Sequence, residues 1–319
     1  MNAIASVGVY TPRYRIDAEA FVDAWGSFEA RGVESKSVAA ADEDTVTMAA
    51  EAAERALADA PIPREEIASL RLATTTPPVE EFDVGTTLSA LLGLSETTRT
   101  TVLSQSTNGG TRALRTGFEG DEPTLVVAAD APFAAPDDAV DHAGGAGAVA
   151  FVLCADGSVT LREASTHTTE FPGTRFRERG SVAVDGYDAT AYDRRAFTDS
   201  IAAAVAKLDD PSTALAVTAP DGSLPHRAAR ALPFDVDVHH VADRFGDLGA
   251  ASAPFGLVAA WNAGTSAVTL VGYGDGASVD ALVLEGRIAA DFDRETASID
   301  YPEYLRKRGH VIGDDGGVN

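Results

Sequence analysis

Short runs of aliphatic and β-branched residues alternate with alanine-rich stretches at helical spacing, and the alternation happens twice along the chain. Such a pattern predicts an α/β fold whose sheets are largely parallel and covered on both faces. In the first half, residues 44–60 read as a helix opened by Asp44 or Thr45 and stopped before Pro61. Residues 86–92 and 110–116 read as further helices, and 125–129 as a buried strand. The second half repeats the plan, with helices at 200–208, 224–232 and 250–262 and strands at 214–217 and 268–272. Both halves end alike. Gly145-Ala146-Gly147 leads into an apolar run through Leu153, and Gly274-Asp275-Gly276 leads into one through Leu284. Each reads as a glycine-rich turn feeding a hairpin strand, which a duplication explains and two unrelated turns would also produce. A duplication divides the chain into halves of about 1–165 and 166–319, and with no low-complexity linker between them they are expected to share one core.

Charge narrows the function. The 319 residues carry a formal charge of −24, which disfavours nucleic acid and anionic membrane as partners because both demand basic surface. Lysine occurs only at Lys36, Lys207 and Lys307, while the acidic residues are spread along the chain. A high-salt cytoplasm accounts for that pattern, since screening over a few ångströms removes most self-repulsion; an ordinary acidic protein explains the lysine shortage less well. The N-terminus runs straight into Ala3-Ile4-Ala5-Ser6-Val7 and no long apolar run follows, so a cytoplasmic location is expected.

The single cysteine, Cys154, excludes a disulfide framework and closes an apolar run with no helix start beside it to activate a thiol. It reads as a buried small hydrophobe. Among the histidines, His142 stands nearest a glycine-rich turn and is the best pocket neighbour, although an ordinary loop histidine fits as well. His239 and His240 are strand neighbours that point to opposite faces, which argues against a shared metal.

The segment from Val102 to Leu114 presents an apolar strand end, then Ser106-Thr107-Asn108-Gly109-Gly110, then a helix start. Together with Val7-Gly8-Val9-Tyr10-Thr11-Pro12 at the first strand, Asp42 to Ala49, Phe245-Gly246-Asp247-Leu248-Gly249, Gly274-Asp275-Gly276-Ala277-Ser278 and the run from Ile299 to Arg308, it resembles the hydroxymethylglutaryl-CoA synthase-like group of the thiolase superfamily. The resemblance is to the archaeal form and, more distantly, to β-ketoacyl synthase III. It implies a thiolase-like αβαβα sandwich of two similar halves and a place in mevalonate or lipid metabolism.

In that family a cysteine thiolate accepts the acyl group at a helix N-terminus, a histidine tunes it, and a glutamate serves as acid and base. The matching positions here read Thr107, Thr218 and Thr75, and an asparagine of related synthases reads Asp247. A threonine hydroxyl stays un-ionised near neutral pH and attacks only when a base takes its proton. Glu80 and Glu81 stand too far along the Pro77-Pro78 turn to replace the glutamate. The resemblance further implies coenzyme A or an acyl-CoA as ligand, with Arg175, Arg177 and Arg179 as candidates for its phosphates or for a solvated or dimer-contact loop. It also implies a homodimer or heterodimer, and thiolase and OB-fold/zinc-ribbon partner proteins. Two functions remain open at this point: a non-condensing acyl-CoA-binding or scaffolding subunit, or a condensing enzyme, hydrolase or transferase with altered chemistry that uses Thr107 or Ser106.

Overall fold

Asp44 starts the first long helix, Thr45–Ala58, through a reciprocal cap. Its carboxylate accepts the Val46 and Thr47 backbone N–H groups, and the Thr47 hydroxyl accepts the N–H of Asp44. Such a box is worth ~1 kcal/mol and fixes where the alanine-rich face begins. That face, from Met48 to Leu57, packs on a five-stranded sheet.

The computed structural model describes residues 1–171, 175–186 and 192–311. Along the chain its strands are β1 (Ala3–Tyr10), β2 (Tyr14–Asp17), β3 (Ser35–Val38), β4 (Ser69–Ala73), β5 (Arg99–Leu103), β6 (Thr124–Asp130) and β7 (Gly147–Cys154). They continue as β8 (Thr160–Thr168), β9 (Ala214–Val217), β10 (Asp237–His239), β11 (Ala267–Gly274), β12 (Ser278–Glu285) and β13 (Ala297–Ser298).

Two five-stranded sheets carry the duplication. The first runs β1-β7-β6-β4-β5 and the second, read from its other end, β8-β12-β11-β9-β10. Pair by pair the orientations also agree: the first two contacts in each sheet are antiparallel and the last two parallel. The second sheet starts with β8 at Thr160, so the expected division at 165/166 lies within that strand.

Between the sheets lie the helices Gly109–Glu119 and Ser252–Asn262, packed into one core with Val126, Phe151, Ala216 and Leu270 from the two sheets. The helix at Ser252–Asn262 is buried nearly all round, as a helix in a middle layer must be. The outer faces are covered by Thr45–Ala58 and Val84–Leu91 on one side. On the other stand Ser200–Val205, Leu224–Arg230 and a π-helical turn at Tyr192–Asp199 that the sequence reading did not foresee. This is the αβαβα sandwich. The two middle-layer elements approach closely at Gly110, where a Cβ would stand 2.1 Å from the carbonyl oxygen of Ala250.

The two glycine-rich runs do different work. Three residues join β11 to β12 as a tight hairpin, but β6 and β7 are antiparallel neighbours joined through residues 131–146, which include the helix Ala139–Ala143. The first run is therefore not a tight turn. Its glycines let the backbone pass the 245–247 segment: Gly145 N–H donates to the Asp247 carbonyl at 2.8 Å, and a Cβ on Gly145 would fall 1.8 Å from the Phe245 carbonyl oxygen.

The chain then returns to its beginning. β13 pairs in parallel with β2, and the helix Tyr301–Lys307 lays Tyr304 beside Ile16, Phe21 and Val38. Lys36 is buried there, donating to the Tyr304 hydroxyl at 2.9 Å and to the Asp141 carbonyl, with its ammonium 4.5 Å from the Tyr304 ring centroid. No helix among the described residues is long and apolar enough to cross a membrane.

Candidate functional site

The loop between β5 and the helix at Gly109 is bent at Gln105, whose φ of 72° is uncommon for a residue with a side chain. Thr107 follows and is buried, and its hydroxyl donates to the Tyr273 carbonyl at 2.7 Å. From the other half Thr218, also buried, accepts the Tyr273 N–H on its hydroxyl at 2.9 Å. Two positions 111 residues apart thus meet on the two backbone groups of one β11 residue. Glycine on both sides of Tyr273 permits the approach: a Cβ on Gly274 would lie 2.0 Å from Ser106 Oγ, and one on Gly272 would lie 2.3 Å from Asn108 Oδ1.

Thr75 is committed as well. Its N–H and hydroxyl donate to Asp130, the hydroxyl at 2.8 Å, and Asp130 also accepts from the Thr76 hydroxyl at 2.5 Å and the Ala250 N–H at 2.7 Å. Burial pushes the Asp130 carboxyl up while these donors hold it down, with burial prevailing. Asp130 was missed from sequence because it closes an apolar strand and looks like the strand's polar boundary.

Asp247 is buried behind these groups. Its Oδ1 accepts the Gly249 N–H at 2.9 Å, and its pKa is raised to about 6, chiefly by burial and against the pull of Arg175. Arg175 Nη1 lies 3.9 Å from Asp247, and its Nε donates to Asp275 Oδ2 at 3.3 Å. Burial also raises the Asp275 carboxyl, opposed by Arg175 and by a hydrogen bond from Tyr192. The glycines around Asp275 pointed only to a turn, so sequence reasoning passed over it.

These elements surround a cleft of about 950 Å³. Thr75, Thr107, Arg175, Arg177, Arg179 and Asp275 all line it, whereas Thr218 and Asp247 stand behind the wall. The basic island is therefore at the cleft, but not as a free phosphate site. Arg179 bridges Glu80 and Glu81 at 3.0 and 2.9 Å, Arg177 lies 4.2 Å over the Phe133 ring and donates to the Val182 carbonyl, and Arg175 is held by Asp275. Glu80 itself lines the cleft, closer than the Pro77-Pro78 turn suggests, with its charge engaged by Arg179.

His142 is not a pocket residue. It is buried against Phe21 and stacked on Phe28, and its Nδ1 accepts the Glu29 N–H at 3.0 Å. His240 faces His226, Nε2 to Nε2 at 3.4 Å, rather than His239, and no cluster of three or more metal-binding side chains occurs among the described residues. Cys154 is a buried free thiol.

No protein-family model matches the chain. It is 28% identical to the hydroxymethylglutaryl-CoA synthase of Methanopyrus kandleri over 333 residues, which covers 97% of this chain and 94% of that one. Its fold superposes on a hydroxymethylglutaryl-CoA synthase crystallised with CoA at a TM-score of 0.84, with 16% identity over 96% of this chain and 90% of the other. It also superposes on the 3-oxoacyl-[acyl-carrier-protein] synthase III of Aquifex aeolicus at 0.77, with 18% identity over 89% and 100%. The chain is a hydroxymethylglutaryl-CoA synthase-like protein of the thiolase superfamily.

Proposed function

We propose that this protein is a non-condensing member of its family, a subunit that binds an acyl-CoA or serves as scaffold without forming an acyl-enzyme. The observation that carries the reading is the use made of the three threonine hydroxyls: Thr107 and Thr218 bind the backbone of Tyr273, and Thr75 binds Asp130. Among the described residues none of the three has an imidazole or a free carboxylate as its partner, so no described group stands ready to take a proton from Thr107. Ser106 is no better placed: its hydroxyl accepts the Asn108 N–H, and no described base accepts its proton.

The cleft suits the acyl-pantetheine end of a ligand, with Phe133, Val182 and Val184 on its walls. A CoA phosphate at the rim would have to compete with Glu80 and Glu81 for Arg179. The acidic, lysine-poor composition supports a cytoplasm of high salt. We further propose that the chain assembles as a homodimer or heterodimer and works beside a thiolase and an OB-fold/zinc-ribbon protein.

Incubation with acetyl-CoA followed by intact-mass measurement tests the reading. The expected spectrum shows unmodified protein, and addition of acetoacetyl-CoA gives no condensation product. An acyl adduct lost in Thr107→Ala would replace this reading with that of a condensing or transferring enzyme of altered chemistry.

A further inference from the structure

We propose that Gln105 is the residue by which the cleft recognises its ligand, through a hydrogen bond to an amide of the pantetheine arm, independently of the nucleotide phosphates. The inference rests on the acyl-CoA reading and names the part of the ligand that is held. Three observations carry it.

The first is which polar side chains at the cleft are still unoccupied. Thr75 and Thr76 donate their hydroxyls to Asp130, Thr107 donates to the Tyr273 carbonyl, and Arg175 and Arg179 are paired with Asp275 and Glu80. Gln105 and Ser104 also line the cleft and are exposed, and neither side chain has a partner among the described residues. A carboxamide offers two donors and an acceptor, so that of Gln105 can meet either the N–H or the C=O of a ligand amide.

The second is the backbone that presents it. Gln105 sits at a φ of 72° between pinned neighbours: the Leu103 carbonyl accepts the Thr74 N–H at 3.0 Å, and Thr107 is bound to the Tyr273 carbonyl at 2.7 Å. Anchors on both sides hold one residue in an uncommon conformation, and the side chain it carries stands at the cleft.

The third is charge. Arg175, Arg177 and Arg179 line the cleft, but so do Glu80, Glu178 and Asp275, and Glu178 makes no ion pair among the described residues. Cations and carboxylates on the walls are equal in number, which leaves no positive surplus to draw the phosphates of CoA. The pantetheine arm carries no charge. Its amides suit Gln105, and its methyl and methylene groups suit walls that include Phe133, Val140 and Val184.

Acetyl-CoA and S-acetylpantetheine, which lacks the nucleotide, are the probes. Calorimetric titration of the full chain measures both at about 0.3 M and about 2 M KCl, since a phosphate contact weakens with salt and an amide contact does not. The expected affinities lie within about threefold of each other at both salt concentrations, and each falls about fivefold or more in Gln105→Leu and in Gln105→Gly. Glycine is at home at positive φ, so Gln105→Gly should keep the fold, which its melting temperature checks. Unchanged affinity in either variant overturns the proposal, as does acetyl-CoA binding more than about tenfold tighter than acetylpantetheine. Failure of both thioesters to bind the unaltered chain overturns the acyl-CoA reading beneath it.

Discussion

Replacing Asp247 with asparagine should make the protein more stable at neutral pH, and the gain should shrink in acid. The buried carboxyl titrates at about 6 against an ordinary 3.8, with burial the largest cause, Arg175 and the Gly249 N–H opposing it, and Asp130 and Asp275 adding to it. Between those two values the folded chain keeps a proton that the unfolded chain has released. The stability this contributes is complete below about pH 4 and is lost as pH rises through 6. Roughly two units correspond to about 3 kcal/mol over the whole span, of which about 1 kcal/mol falls between pH 5 and pH 7.5. Asparagine has no proton to lose and still offers an oxygen to Gly249. Urea denaturation of both proteins at about pH 5 and 7.5 in the same salt reads the difference of differences. A variant that gains on the original chain by about 1 kcal/mol between the two conditions agrees with the argument. Equal differences at both pH values, or a variant that loses ground as pH rises, would refute it.

Other expectations follow from packing and charge. Thr218→Val leaves the Tyr273 N–H without its acceptor in a buried place and should cost about 1–3 kcal/mol in chemical denaturation. Gly110→Ala drives a methyl group into the Ala250 carbonyl and should cost at least ~2 kcal/mol; a melting temperature equal to that of the original chain would contradict the close approach. Raising KCl from about 0.2 M to about 2 M should raise the melting temperature, because the chain's −24 charge repels itself less when screened, and a flat response would remove the high-salt reading.

The architecture could be read from sequence because it rests on local signals. The Asp44 cap, the all-apolar strand through Leu125 and Val127 and the alanine-rich helices each follow from residues close together in the chain. The site was legible only in part. Thr75 and Thr107 line the cleft, but their partners, Asp130 and the Tyr273 backbone, lie 55 and 166 residues away and leave no mark on spacing. The arginines were seen as a charge cluster, yet whether such a cluster is free depends on carboxylates from Glu80, Glu81 and Asp275, which only the fold brings near. His142 failed for the opposite reason: its position before the glycines suggested a loop, while Phe21 and Phe28, more than a hundred residues away in sequence, pack against its ring.

The return of residues 297–307 to the first sheet's end of the molecule sets an order of events at the ribosome. Lys36 emerges early, but the Tyr304 hydroxyl that accepts its hydrogen bond is synthesised 268 residues later. Until then the N-terminal segments can collapse around the Thr45–Ala58 helix, yet β2 lacks its parallel neighbour and an ammonium group waits without one of its two partners. A nascent chain stalled before residue 297 should accordingly hold its N-terminal arm open to proteases and chaperones, with closure coupled to completion of the tail.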